Sequence, residues 1–147
     1  MINTIYKNIS QILTNKGYRP QLLTDNTNDI KILLFVSYTE NIVFSVTFEK
    51  IENTLYLHEG ALFKGRGDSN ISCGFFQACS VDHENKESTN KLICQFYDTF
   101  DQFIDCGISF KIDDSNVIHP NMKSGIVFEN PEYAIALFAK QNNFKLS

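Results

Sequence analysis

The chain has 147 residues, a net charge of −4, 43% apolar residues, 13 Phe and no Trp. A single domain of this length buries roughly 70% of its unfolded surface on folding, so a fold spanning 1–147 needs neither disulfides nor a structural metal. The acidic balance argues against nucleic acid or anionic membrane as main partner, and no run approaches the ~18 apolar residues of a membrane span.

The chain opens with Ile2, Ile5, Tyr6, Ile9, Ile12 and Leu13 at spacings of three and four, which predicts a helix over 2–16 with one apolar stripe. Gly17 suits the position just past its end, and Pro20 forbids continuation. Residues 20–29 read as a polar connector. Residues 30–38 are apolar on nearly both sides, the pattern of a central strand. In 42–49 Ile, Phe, Val and Phe take the even positions while Ser45, Thr47 and Glu49 take odd ones, predicting a strand with one buried and one wetter face. Short polar links at Thr39-Glu40-Asn41 and Glu52-Asn53-Thr54, and a third apolar run over 55–63, complete an antiparallel meander. A basic loop, Lys64-Gly65-Arg66-Gly67-Asp68, contains the adhesion tripeptide Arg-Gly-Asp, a three-residue match with no specificity in this context.

A fourth strand is expected over 71–81, where Gly74 and the doubled Phe75-Phe76 predict a bulge. A second helix is expected over 89–105. Leu92, Ile93, Phe96, Tyr97, Phe100, Phe103 and Ile104 share one face, and Asp98, Asp101 and Asp105 share the other. Three acids near a helix C-terminus oppose its dipole and repel one another, at about a few tenths of a kcal/mol each. Short strands follow over 108–112, 117–119 and 125–129. Asn130-Pro131-Glu132 then opens a last helix, with Asn as N-cap and Pro at the first helical position. The expected fold is α+β: an antiparallel sheet of three to four meander strands plus two to three short C-terminal strands, with helices packed mainly on one side.

The charge is unevenly placed. Between 82 and 114 lie eight acids, Asp82, Glu84, Glu87, Asp98, Asp101, Asp105, Asp113 and Asp114, against Lys86, Lys91 and Lys111, a net −5. The other residues carry nine acids and ten bases, a net +1. The whole negative excess therefore sits in one segment.

Catalytic patterns are lacking. No phosphate-binding glycine loop, dinucleotide fingerprint, HExxH or GxSxG occurs. Cys73, Cys79, Cys94 and Cys106 form no CxxC and, with three scattered His, no zinc spacing. His58 and His119 as a metal-free hydrolytic pair, Cys73 or Cys79 with a histidine, and cation binding at Asp82/Glu84 or Asp113/Asp114 are the chemical alternatives, none with a motif behind it. The expectation is a protein without enzymatic activity, cofactor or metal. The first residues lack a charged leader followed by an apolar block, so the expected address is cytoplasmic, with reduced thiols.

In size, in a composition biased to Asn, Ile, Lys and Phe, and in concentrated acidity, the chain resembles bacterial immunity proteins of contact-dependent growth inhibition systems. That resemblance implies a stoichiometric inhibitor covering the active site of a cationic nuclease toxin, with the eight acids of 82–114 as partner-binding residues. The element order is also similar to type III secretion chaperones. That similarity implies instead an acidic dimer holding an extended segment of an exported protein, although the extra strand at 71–81 departs from their pattern.

Overall fold

In a computed structural model, the structure describes residues 2–37, 41–64, 71–82, 91, 111–112, 118–119 and 128–146. The fold is α+β, built on a six-stranded antiparallel sheet. Helix α1 (Ile2–Asn15) is followed by β1 (Gln21–Thr24), β2 (Ile30–Val36), β3 (Val43–Ile51), β4 (Thr54–Lys64) and β5 (Ile71–Asp82). Two short strands, β6 (Lys111–Ile112) and β7 (Ile118–His119), pair with each other. Helix α2 (Pro131–Gln141) leads into β8 (Lys145–Leu146). The sheet order is β5-β4-β3-β2-β1-β8.

Helix α1 ends as its residues dictate. Gly17 takes φ 93°, its N–H donates to the Thr14 carbonyl at 2.9 Å, and the Tyr18 N–H donates to the Leu13 carbonyl at 3.0 Å. This pair of bonds is a Schellman cap, and Tyr18 and Leu13 supply its hydrophobic contact within one core. Helix α2 opens with the Asn130 side chain accepting from the Tyr133 N–H at 3.1 Å, with Pro131 following. Its missing N–H costs nothing there.

Strand β2 is buried along most of its length, so both sheet faces need covering. One core gathers Ile5, Ile9, Ile12 and Leu13 of α1 over Leu33, Phe35, Phe44, Val46, Phe48, Leu55, Leu57 and Ala61. The other places Ala134, Ile135, Phe138 and Ala139 of α2 over Leu23, Ile32, Leu34, Val43, Leu62 and Ile71. Alternate residues of β2 thus feed opposite cores. At the far end of α2, the Gln141 side-chain Oε1 accepts from the Ile71 N–H at 2.9 Å, tying the helix to the start of β5.

The three-strand meander forms as the alternation indicates, with Asn41 (φ 53°) and Glu52 (φ 53°) in the left-handed region at its two turns. Two details differ from the sequence reading. Residues 21–24 of the expected connector form β1, and β8 was not anticipated; the two pair with each other, and β1 pairs with β2. Only the loop tip keeps its turn chemistry: Asp25 accepts from the Thr27 hydroxyl at 2.8 Å and the Ile30 N–H at 3.3 Å, with Asn28 at φ 60°. Four residues for β1 and two for β8 carry too little periodicity to announce a strand.

The bulge in β5 is present. Glu59 pairs with Gln77 and Gly60 with Phe75, leaving Phe76 as the extra residue. The expected helix over 89–105 lies outside the described residues except for Lys91, which is helical. The basic loop at 65–70 and residues 125–127 of the expected third short strand also lie outside them, and Phe128 and Glu129, the described part of that expected strand, are not in a strand. Among the described residues, no helix is long and apolar enough to cross a membrane.

Candidate functional site

The polar groups of the sheet collect on β3, β4 and β5. On β3, Ser45, Thr47 and Glu49 alternate away from the α1 face, but alternation here sets polarity rather than exposure. Ser45 is fully buried and Thr47 nearly so, and only Glu49 reaches the half-buried range. Thr47 lies opposite His58 in register, and Glu49 opposite Tyr56. His58 Nε2 sits 3.6 Å from Glu49 Oε2, an ion pair whenever the imidazole is protonated. The Tyr56 and His58 rings lie parallel, 6.1 Å apart. The histidine is thus held by an acid diagonally across the strand pair and a ring along its own strand.

Towards the other end of this face, Ser45 Oγ and Cys73 Sγ share a hydrogen bond at 3.1 Å. They belong to β3 and β5, strands separated by β4 and therefore about 9.6 Å apart. The bond spans that gap because Gly60, in register with Ser45, has no side chain to stand between them. Burial pushes the Cys73 thiol up to about 11, against a smaller downward pull from the Ser45 hydroxyl. Such a thiol is a packing group rather than a nucleophile. Nor does His58 activate it: Cys73 pairs with Leu62, four residues along β4 from His58, a separation of about 13 Å.

This inertness has a measurable consequence. In a variant with Cys79, Cys94 and Cys106 replaced by serine, Cys73 is expected to react with a disulfide reagent near pH 8 about a hundredfold more slowly in the native than in the urea-unfolded chain. The reason is the hundredfold smaller thiolate fraction of a group raised from 9.0 to about 11. Native and unfolded rates within tenfold of each other would contradict it.

The opposite, α1-facing side of β4 carries Leu55, Leu57, Glu59 and Ala61. Glu59 is only 2% exposed, and among the described residues its Oε2 and Thr47 Oγ1 are buried without a hydrogen-bond partner. Burial alone raises the Glu59 carboxyl from 4.5 to about 7. No motif singles out Glu59 in the sequence. The signal was present in the alternation, since a residue between Leu57 and Ala61 at strand spacing must share their face. On the same side Lys31 is 7% exposed, with its ammonium 4.7 Å from the centre of the Tyr6 ring.

Of the eight acids expected to bind a partner, Asp82 is placed: it is the last residue of β5, in register with Thr54. Glu84, Glu87, Asp98, Asp101, Asp105, Asp113 and Asp114 lie outside the described residues. His119 is in β7, in register with Lys111, while His83 lies outside the described residues. Among the described residues, no three His, Cys, Asp or Glu side chains converge to hold a metal ion. Comparison with known protein families, with curated proteins and with solved structures finds no match.

Proposed function

We propose that the chain is a protein-binding module that docks a cationic protein surface through its acidic segment, 82–114. The observation that carries this reading is the charge distribution: net −5 in that segment and net +1 in all the rest. The segment begins at Asp82, at the end of the sheet's outermost strand β5, and so departs from the rim of the sheet. A one-signed patch steers an oppositely charged partner during diffusional encounter and disfavours wrong ones. In the terms set by the resemblance to immunity proteins, the partner is a basic nuclease toxin domain, held stoichiometrically in the cytoplasm by Asp82, Glu84, Glu87, Asp98, Asp101, Asp105, Asp113 and Asp114. No cofactor or metal enters this reading.

The test is to capture a folded basic domain at low salt and measure association by stopped flow. Reversing Asp98, Asp101 and Asp105 to lysine is expected to slow association at least roughly tenfold, and to flatten its dependence on salt, because exposed charges are screened over about 10 Å at 0.1 M. Unchanged association in the triple variant would remove the acidic segment from the interface. A dimer that holds an unfolded segment regardless of salt would transfer the chain to the secretion-chaperone class.

A further inference from the structure

The carboxyl of Glu59 is the one acid that the described structure inserts into an apolar core, and it does so where the backbone ladder is already broken. Its core neighbours on β4 are Leu55, Leu57 and Ala61, and β3 contributes Val46 directly opposite, flanked by Phe44 and Phe48. On the β5 side its register partner is Gln77, and the next step of the ladder skips Phe76. Bulges disrupt the local ladder and concentrate twist, so the β4–β5 seam is weakest where the acid is buried.

No described charge compensates the acid. From β2 the titratable residue on this face is Lys31. It pairs with Phe48, which pairs with Leu57, so it stands two strands and two residues from Glu59, about 12 Å between Cα atoms. Its ammonium is engaged with the Tyr6 ring of α1. Of the other titratable groups here, Lys7 of α1 is exposed, Tyr18 packs edge-on against Phe35, and Cys79 takes a same-face register position on β5. None of these is a cation beside the carboxyl.

We propose that Glu59 makes the β4–β5 seam pH-responsive: the core accepts the protonated carboxyl, and ionisation loosens edge strand β5 from β4. An ionised carboxylate in an apolar core, its buried Oε2 meeting no donor among the described residues, is far costlier than the neutral acid. The loss is relieved by opening at the nearest break in the ladder, which lets water reach the carboxylate. Among the described residues, strand β5 lies at the edge of the sheet and pairs with β4 alone, so it can part from β4 while the β3–β2–β1 ladders stay paired, at the cost of the Ser45–Cys73 hydrogen bond to β3. The device belongs to the sheet and stands whether or not the acidic segment binds a partner.

Amide hydrogen exchange, expressed as protection factors to remove intrinsic pH dependence, reads this directly. The β4–β5 pairs flanking the break, Leu57 with Cys79 and Ala61 with Gly74, are expected to lose protection about thirtyfold between about pH 5.5 and 8.5. That factor follows from a carboxyl that titrates at 4.5 in the open state and about 7 in the closed one. The β2–β3 pairs, such as Leu33 with Val46, are expected to hold. Glu59→Gln is expected to keep the seam protected across the range. Protection that is flat with pH in the wild type, a loss that persists in Glu59→Gln, or an equal loss in β2–β3 would each overturn the proposal. Should Glu59→Gln not fold, a ¹³C titration of the Glu59 carboxyl in the wild type decides the matter. A midpoint near 7 with parallel loss of β5 protection supports the seam, and a midpoint in the ordinary carboxylate range refutes it.

Discussion

Replacing Phe35 by alanine is expected to lower the unfolding free energy by about 3–5 kcal/mol, the cost of removing a buried phenylalanine from a core that only partly collapses around the void. Phe35 is fully buried on β2, the strand that feeds both cores. Its ring stacks on Phe44 at 5.8 Å and meets Tyr18 edge-on at 5.2 Å. The truncation therefore removes two aromatic contacts and leaves Phe44 and the α1 stripe facing a cavity. Natural domains hold only about 5–15 kcal/mol in total, so the variant should be close to unfolding at room temperature. Urea denaturation checks this: the midpoint should fall sharply with an unchanged slope. Ile51→Ala, at a residue 50% exposed, serves as control and should shift stability by no more than about 0.5 kcal/mol. A Phe35→Ala loss as small as the control's would mean that the aromatic cluster does not organise the α1-side core.

Glu59→Gln is expected to stabilise the protein at alkaline pH and to leave it nearly unchanged in mild acid. The carboxyl is raised from 4.5 to about 7 by burial. Between those values the folded chain binds more protons than the unfolded one, so stability falls as pH rises. The protonated group's contribution is full below about 4.5, is lost progressively towards 7, and is level above. At 1.36 kcal/mol per unit the loss amounts to about 3 kcal/mol. Every other ionisable group is common to the two proteins, so the quantity to measure is the difference between wild type and variant, by urea titration across pH. A difference near zero at about pH 4 that grows to about 3 kcal/mol in favour of glutamine by about pH 8 is expected. A constant difference would mean that Glu59 stays ionised in the fold.

The two Glu59 experiments read different events. Hydrogen exchange reports whether opening is confined to the β4–β5 seam, whereas urea titration reports the whole domain. If the seam opens before the sheet unfolds, part of the penalty is discharged locally and the global difference falls short of 3 kcal/mol. The acid would then set the looseness of the strand from which the acidic segment departs.

Much of this architecture is written in short-range patterns. The stripe of Ile5, Ile9, Ile12 and Leu13 with Gly17 behind it specifies α1, and Asn130-Pro131 specifies the start of α2, because caps and helical periodicity act within a few residues. The alternation in 42–49 and the two short turns specify the meander, and Gly74-Phe75-Phe76 marks the bulge, because strand pairing between close neighbours needs little more than a turn of the right kind. The net charge of the 82–114 segment is likewise a property of the sequence alone.

Tertiary structure decided the rest. Residues 21–24 became a strand because β2 offered an unpaired edge, and β8 joined because α2 delivered its end there, contacts more than a hundred residues apart in the chain. Ser45 and Thr47 were polar by pattern but became buried, in register with Leu34 and Ile32 of the core that α2 closes. Gly60 allowed Ser45 to reach Cys73 across an intervening strand, and only the register of three strands sets that geometry. Glu59 shows both levels at once. Its spacing between Leu57 and Ala61 determined which face it would join, but desolvation depends on what closes over that face, and only the assembled core made it an acid that holds its proton to about pH 7.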